Sequence, residues 1–269
     1  MASAMPAQPQ LLIEGEGPTV VMIHGWPDTL RVWDGTVAAL KGRYRCVRFT
    51  LPGFETPAAA RAAWSLDEVL AFIARAVDQA SPDAPVTLLL HDWGCFYGYQ
   101  YATRHKARVA RVIGVDIGDI GSHYNLQELS LKTKLYTVGY QVWLALAWKI
   151  GGNLGDRMAR GMARFFHAPA PASEISSAMG YPYAVQWFRT RGGFGRLRAF
   201  VPTVPMLFVV GERKPFRFHS ANWAERIRAR PGCRVLGLPC GHWVMIQQPD
   251  AFHAAVLDWL QQTDAGIHP

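Results

Sequence analysis

The string Leu88-Leu89-Leu90-His91-Asp92-Trp93-Gly94-Cys95 runs from an apolar stretch straight into a helix-forming one. A strand that turns sharply into a helix lifts the residue at the turn to the carboxyl end of a sheet, where open α/β folds bind ligands. This is the form of a nucleophile elbow, with aspartate in place of serine at its apex. Gly94 and Cys95 are small enough for the following helix to pack closely, whereas Leu90 is larger than the usual glycine at its position. A serine there suits acyl transfer. A carboxylate displaces at saturated carbon and leaves an alkyl ester. Taken alone, Asp92 also suits the N-cap of the helix that follows it.

Two further strings can join it. His24-Gly25-Trp26-Pro27 ends an apolar run, and such a turn can aim the Trp26 N–H at the top of a sheet. Paired with the N–H of Trp93, it makes an oxyanion hole. Pro239-Cys240-Gly241-His242-Trp243 follows the last apolar run. An elbow followed late in the chain by a loop histidine is the order of a hydrolase triad. His242 is therefore the expected base. Alone, any one of the nine histidines is as well explained by solvent exposure or a structural bond.

The elements that must hold these residues follow from the apolar pattern. Runs at 19–24, 44–49, 86–91, 109–116, 206–211 and 234–238 are rich in Val, Ile and Leu on both faces, as in a buried parallel sheet. Helices are predicted over 66–80, 96–105, 220–230 and 249–262. The strand-then-helix alternation gives βαβ units and a mostly parallel sheet flanked by helices. It stops over residues 118–201, where several helices are broken by Gly, Pro and aromatic residues. The expected organisation is a core of residues 1–117 and 202–269 with residues 118–201 inserted as a helical cap.

Composition narrows the class. The 269 residues are 50% hydrophobic and 18% charged, with 10 Trp, 13 Phe and 9 Tyr, enough to fill a large core and to exclude disorder. The net charge is +8. Residues 120–200 hold ten Lys/Arg against three acids, so nearly all of the excess lies in the insertion. These bases are dispersed and no nucleic-acid motif accompanies them, so a solvated basic face is expected and no nucleic-acid partner. Four scattered cysteines give neither a zinc motif nor a disulfide framework. No metal cluster or phosphate-binding glycine loop is read, so no cofactor is expected. Residues 1–10 lack the basic and apolar regions of a signal, and the longest apolar stretch, 138–150, is interrupted by Gln141 and Lys149. The expectation is a cytoplasmic protein without a membrane partner, monomeric or homodimeric, acting on a small, mainly apolar substrate.

Together His24–Pro27, Leu51-Pro52-Gly53-Phe54, His91–Gly94 and Gly241-His242-Trp243 resemble the α/β-hydrolase superfamily. Within it they resemble the aspartate-nucleophile branch of epoxide hydrolases and dehalogenases. The resemblance implies Asp92 as nucleophile, His242 as base and the N–H groups of Trp26 and Trp93 as oxyanion hole. The family's usual acid follows the strand 206–211, but this chain reads Gly211-Glu212-Arg213-Lys214-Pro215, with lysine in that place. Some members take the acid from the preceding strand, where Asp116 stands; Asp119 and Glu212 are the alternatives. Haloalkane dehalogenases carry Asn or Glu where this chain has Trp26, and haloacetate dehalogenases carry arginines after the nucleophile, where Gly94, Cys95 and Phe96 stand here. Epoxide hydrolases accept an aromatic there and use cap tyrosines to protonate the opening ring. Tyr124, Tyr136, Tyr140, Tyr181 and Tyr183 are available, and Tyr181 or Tyr183 lies where the family carries one. Thr50 and Glu55 depart from the family's loop. Epoxide opening is the leading expectation, dehalogenation the second, and ligand binding without catalysis the third.

Overall fold

The computed structural model describes residues 8–55, 61–120, 127–128, 130–195, 197–214 and 217–264. Its centre is a sheet of seven strands among the described residues: β1 (Leu12–Glu14), β2 (Thr19–Ile23), β3 (Arg45–Arg48), β4 (Val86–His91), β5 (Val109–Val115), β6 (Met206–Gly211) and β7 (Arg234–Leu238). They lie in the order β1-β3-β2-β4-β5-β6-β7. Only β1 runs antiparallel to its neighbour. All six residues of β4 and all six of β6 are buried, because helices cover both faces of the parallel strands. This is the α/β-hydrolase architecture, and the six predicted strands are all in it. β1 was not anticipated: three half-exposed residues at an edge carry no readable apolar period.

Among the described residues six helices belong to the sheet: α1 (Asp34–Leu40), α2 (Leu66–Ala80), α3 (Trp93–Arg104) and, after the insertion and its helices α4–α6, α7 (Ala221–Arg228), α8 (Val244–Gln247) and α9 (Pro249–Asp264). α2 has the predicted bounds because its start is written locally. Ser65 Oγ accepts from the Glu68 N–H at 3.3 Å, while Glu68 Oε2 accepts from the Ser65 N–H at 2.7 Å. α3 begins at Trp93 rather than at 96, leaving no loop after β4 except Asp92 itself. One core packs α2 and α3 against the sheet and extends into the insertion; the other packs α1, α8 and α9 on the opposite face.

Between β5 and β6 the chain leaves the sheet to form α4 (Leu131–Ile150), α5 (Gly152–Phe165) and α6 (Tyr181–Phe188). α4 and α5 pack so closely that a Cβ on Gly155 would sit 2.4 Å from the Ala147 carbonyl oxygen. α6 supplies buried Tyr181, Tyr183, Ala184 and Val185 toward the sheet. Among the described residues, no helix is long and apolar enough to cross a membrane.

Candidate active site

Asp92 is the hinge between β4 and α3, with φ 51° and ψ −119°. That conformation costs a non-glycine residue about 1–3 kcal/mol and persists only where the surroundings impose it. The side chain makes no capping bond to α3, so the N-cap role it could have filled is not the one it has. Missing Cβ atoms make the turn fit. A Cβ on Gly94 would lie 2.1 Å from the Ile23 carbonyl oxygen, and one on Gly25 would lie 2.3 Å from Asp92 Oδ1. The two glycines let the β2 and β4 ends approach until the backbone of the turn after β2 touches the Asp92 carboxylate.

That contact is polar. The Trp26 N–H donates to Asp92 Oδ1 at 2.8 Å, and the neighbouring Trp93 N–H also favours the charged carboxylate. Oδ2 faces His242, whose Nε2 is 3.6 Å away. His242 Nδ1 donates to Asp116 Oδ2 at 2.5 Å. Asp116 stands just beyond β5 with φ 70°, and the Gly211 N–H and the Lys214 ammonium both donate to its Oδ1. The turns after β2, β4, β5, β6 and β7 thus converge at the carboxyl edge of the sheet.

The electrostatics follow from this geometry. Burial pushes the Asp92 carboxyl up, but His242, helped by His91 and the Trp93 N–H, holds it below its ordinary value. Burial pushes Asp116 up as well, and the Lys214 charge with the His242 bond holds it far below. For His242, burial acts downward but is outweighed by Asp116 and then Asp92, which raise it to about 9. Both carboxylates are ionised at neutral pH and the imidazole between them is protonated.

Of the three acids considered, only Asp116 meets His242. Asp119 bonds the N–H and hydroxyl of Ser220, the residue that caps α7. Glu212 is exposed, and its carboxylate lies over Gly237 of β7. His24 and His91 are buried and tied to backbone. His24 bonds Gly25 O and the Leu51 N–H, each at 3.0 Å, and His91 Nε2 lies 3.2 Å from His242 O. Burial keeps both neutral, depressing them to about 4 and about 3. Glu55 turns back to accept the Gly53 N–H at 2.8 Å, away from Asp92.

A cavity of about 480 Å³ opens above Asp92 and His242. Trp26, Phe165, Phe166, Phe218 and Trp243 give it apolar walls, with Arg213 and Lys214 on one side. Tyr181 and Tyr183 separate. Tyr183 lines the cavity with its ring 5.1 Å from that of Trp93. Tyr181 does not line it; fully buried, it packs on Trp64 and meets the Tyr97 hydroxyl at 3.5 Å. Tyr140 takes the second place on the wall, its ring 6.3 Å from that of Tyr183. Burial, with the charge of Asp92 adding to it, raises both phenols, so they keep their protons at neutral pH. The spacing of Tyr136 and Tyr140, one turn apart on α4 and both on the wall, was the readable signal. Tyr124 lies outside the described residues. Among the described residues, no cluster of His, Cys, Asp and Glu is arranged to hold a metal ion.

The chain is 24% identical over 282 residues to the "Probable oxidoreductase EphD" of Mycobacterium bovis, covering 93% of this chain and 46% of that protein. It is 28% identical over 105 residues to Epoxide hydrolase B of Mycobacterium tuberculosis, covering 38% of this chain and 29% of that one. The matched region therefore spans less than half the length of either relative. The crystal structure of an epoxide hydrolase from Bacillus megaterium in complex with an inhibitor superposes with a TM-score of 0.70 at 17% identity, over 94% of this chain and 96% of that one. At that identity the likeness is one of fold. The sequence model of the Alpha/beta hydrolase family matches residues 20–255, and the chain belongs to that family.

Proposed function

We propose that the chain is a cofactor-independent hydrolase that opens an epoxide to a diol through an ester on Asp92. One observation carries this reading. A carboxylate that accepts the Trp26 N–H, with the Trp93 N–H also favouring its charge, faces a histidine across a cavity that three phenols also line. The printed names of similar proteins include epoxide hydrolases. Residues 118–201 act as the cap, holding Tyr140 and Tyr183 over Asp92. The apolar walls select a small, mainly apolar substrate.

In the first step Asp92 Oδ2 attacks a ring carbon, the carbon–oxygen bond breaks, and the ring oxygen takes a phenol proton. The His242 imidazolium replaces that proton, which leaves His242 neutral. In the second step water adds to the Asp92 ester carbonyl while His242 Nε2 takes one of its protons. The N–H groups of Trp26 and Trp93 hold the oxyanion. The bond from the Asp92 carbonyl carbon to the alkyl oxygen then breaks, and the diol leaves with the second water proton. Asp92 returns as carboxylate and His242 as imidazolium.

Dehalogenation is the second reading, favoured by the indole N–H of Trp26. It is buried, lacks a partner among the described residues, and belongs to a cavity-lining side chain suited to receive a halide. The deciding experiment is the intact mass of His242→Gln after exposure to pooled epoxides and haloalkanes, with Asp92→Ala as control. A gain equal to a whole epoxide, absent from the control, is expected. A gain of an alkyl group without halogen establishes dehalogenation instead, and no gain from a broad panel overturns the ester mechanism.

A further inference from the structure

Lys214 stands where the family pattern has an acid, and it is not a surface lysine. Its side chain is 9% exposed, its ammonium bonds wholly buried Asp116, and it lies 5.4 Å from the Phe218 ring centroid on the cavity wall. The Asp116 carboxylate is shared, Oδ1 to Lys214 and Oδ2 to His242. His242 faces a second carboxylate, Asp92, on its other nitrogen. The site therefore holds two carboxylates, one fixed cation and one imidazole that titrates.

The other charged and titratable groups around this set are accounted for. His91 at the end of β4 and Asp28 after β2 lie behind His242, with Asp28 accepting the Trp243 indole N–H at 2.8 Å. His219 and Arg213 flank Lys214, and burial holds His219 neutral at about 4. Cys240 shares the loop of His242, and burial pushes its thiol up. From the insertion, Tyr136, Tyr140, Tyr183 and His167 face the same cavity. None of these is a carboxylate bonded to His242. Only Asp92 and Asp116 stabilise its proton directly, and of those two only Asp92 loses its charge on becoming an ester.

We propose that Lys214 is a positioning residue that makes His242 a base only after Asp92 has been esterified. The inference rests on the ester reading above. In the free protein the Asp92 charge adds to that of Asp116, and together they keep the imidazole protonated. Once Asp92 is an ester, the remaining carboxylate, Asp116, is partly offset by the Lys214 ammonium, which weakens its hold on the imidazole proton. The imidazole then gives up its proton and can accept one from water. Without Lys214, the full Asp116 charge keeps His242 protonated after the first step, and hydrolysis stalls at neutral pH.

The test reads His242 itself. Its imidazole titration is followed by NMR, with the signal assigned by its loss in His242→Gln. Asp92→Asn, its mass verified after the titration, serves as the neutral stand-in for the ester. Asp92→Asn should titrate well below the wild type, and Asp92→Asn with Lys214→Met about one pH unit or more above Asp92→Asn alone, since a unit charge one carboxylate away acts with that strength. Lys214→Arg in the same background should restore the lower value, and Lys214→Gln replaces Lys214→Met if the latter does not fold. Equal titration of Asp92→Asn with and without the Lys214 charge overturns the proposal. The titration uses no substrate. A shift with no covalent adduct therefore overturns the ester mechanism alone, and an adduct with no shift overturns the role of Lys214 alone.

Discussion

Replacing Asp116 by Asn keeps the shape of the side chain and removes its charge from a place where nothing else supplies one. Asp116 is wholly buried between the Lys214 ammonium, the Gly211 N–H and His242 Nδ1. The amide oxygen can still accept from Gly211, but Lys214 is left 9% exposed with its counter-ion gone. Removing one partner of a buried pair costs about 3–5 kcal/mol. At about 2–4 °C per kcal/mol for a chain near this size, Tm should fall by roughly 6–20 °C. Asn also favours the wrong imidazole tautomer, and the comparable change in a serine triad costs about 10⁴-fold in turnover. Adding Lys214→Met removes the stranded cation and should restore part of the stability, a coupling of about 0.5–3 kcal/mol. The sign with pH is fixed, because the folded carboxyl lies far below its ordinary value. Its contribution is complete above about pH 4 and fades as pH falls further. The assays are thermal unfolding by circular dichroism at pH 7 and at pH 3, with turnover of whichever substrate the trapping experiment identifies. A Tm at pH 7 within about 2 °C of wild type, or a double variant whose loss is the sum of the two single losses, refutes the reasoning.

Further outcomes are expected at the glycines, Asp28 and the tyrosines. Gly94→Ala should destabilise by about 1–3 kcal/mol because its Cβ meets the Ile23 carbonyl oxygen at 2.1 Å. Gly161→Ala, exposed on α5 with nothing within 4 Å, should stabilise by about 0.5–1 kcal/mol, and urea midpoints of both compare the sites. Burial raises the Asp28 carboxyl to about 7, against the Trp243 bond, so the stability it allows is lost as pH rises from about 4 to about 7. Asp28→Asn should therefore gain stability over wild type at pH 8 relative to pH 5, and an equal difference at the two pH values refutes the cause. Tyr183→Phe and Tyr140→Phe should each slow ester formation by about 10²-fold in single turnovers of the His242→Gln background. Tyr181→Phe should leave that rate within about twofold, since its hydroxyl meets Tyr97 outside the cavity; a larger loss there than at Tyr183 refutes the assignment.

The sequence alone determined the parts of this protein whose signals are local. Both-face apolar runs set six strands, the Ser65/Glu68 box set the start of α2, and the unbroken join of 86–91 to a helix put Asp92 at the sheet's carboxyl edge. Order along the chain paired Asp92 with His242, because in a parallel sheet every strand-to-helix turn emerges at the same edge. Tertiary structure decided what lies across that edge. Asp116, Asp119 and Glu212 are equal as carboxylates, and only the approach of the turns after β5 and β7 gives Asp116 the 2.5 Å bond to His242. The five tyrosines of the insertion are equal as phenols, and only helix rotation turns Tyr136, Tyr140 and Tyr183 to the cavity and Tyr181 into the core. Lys214 reads as a missing acid in the sequence and becomes the counter-ion of the acid in the fold. Partners far apart in sequence are chosen by packing, and packing is a property of the whole chain.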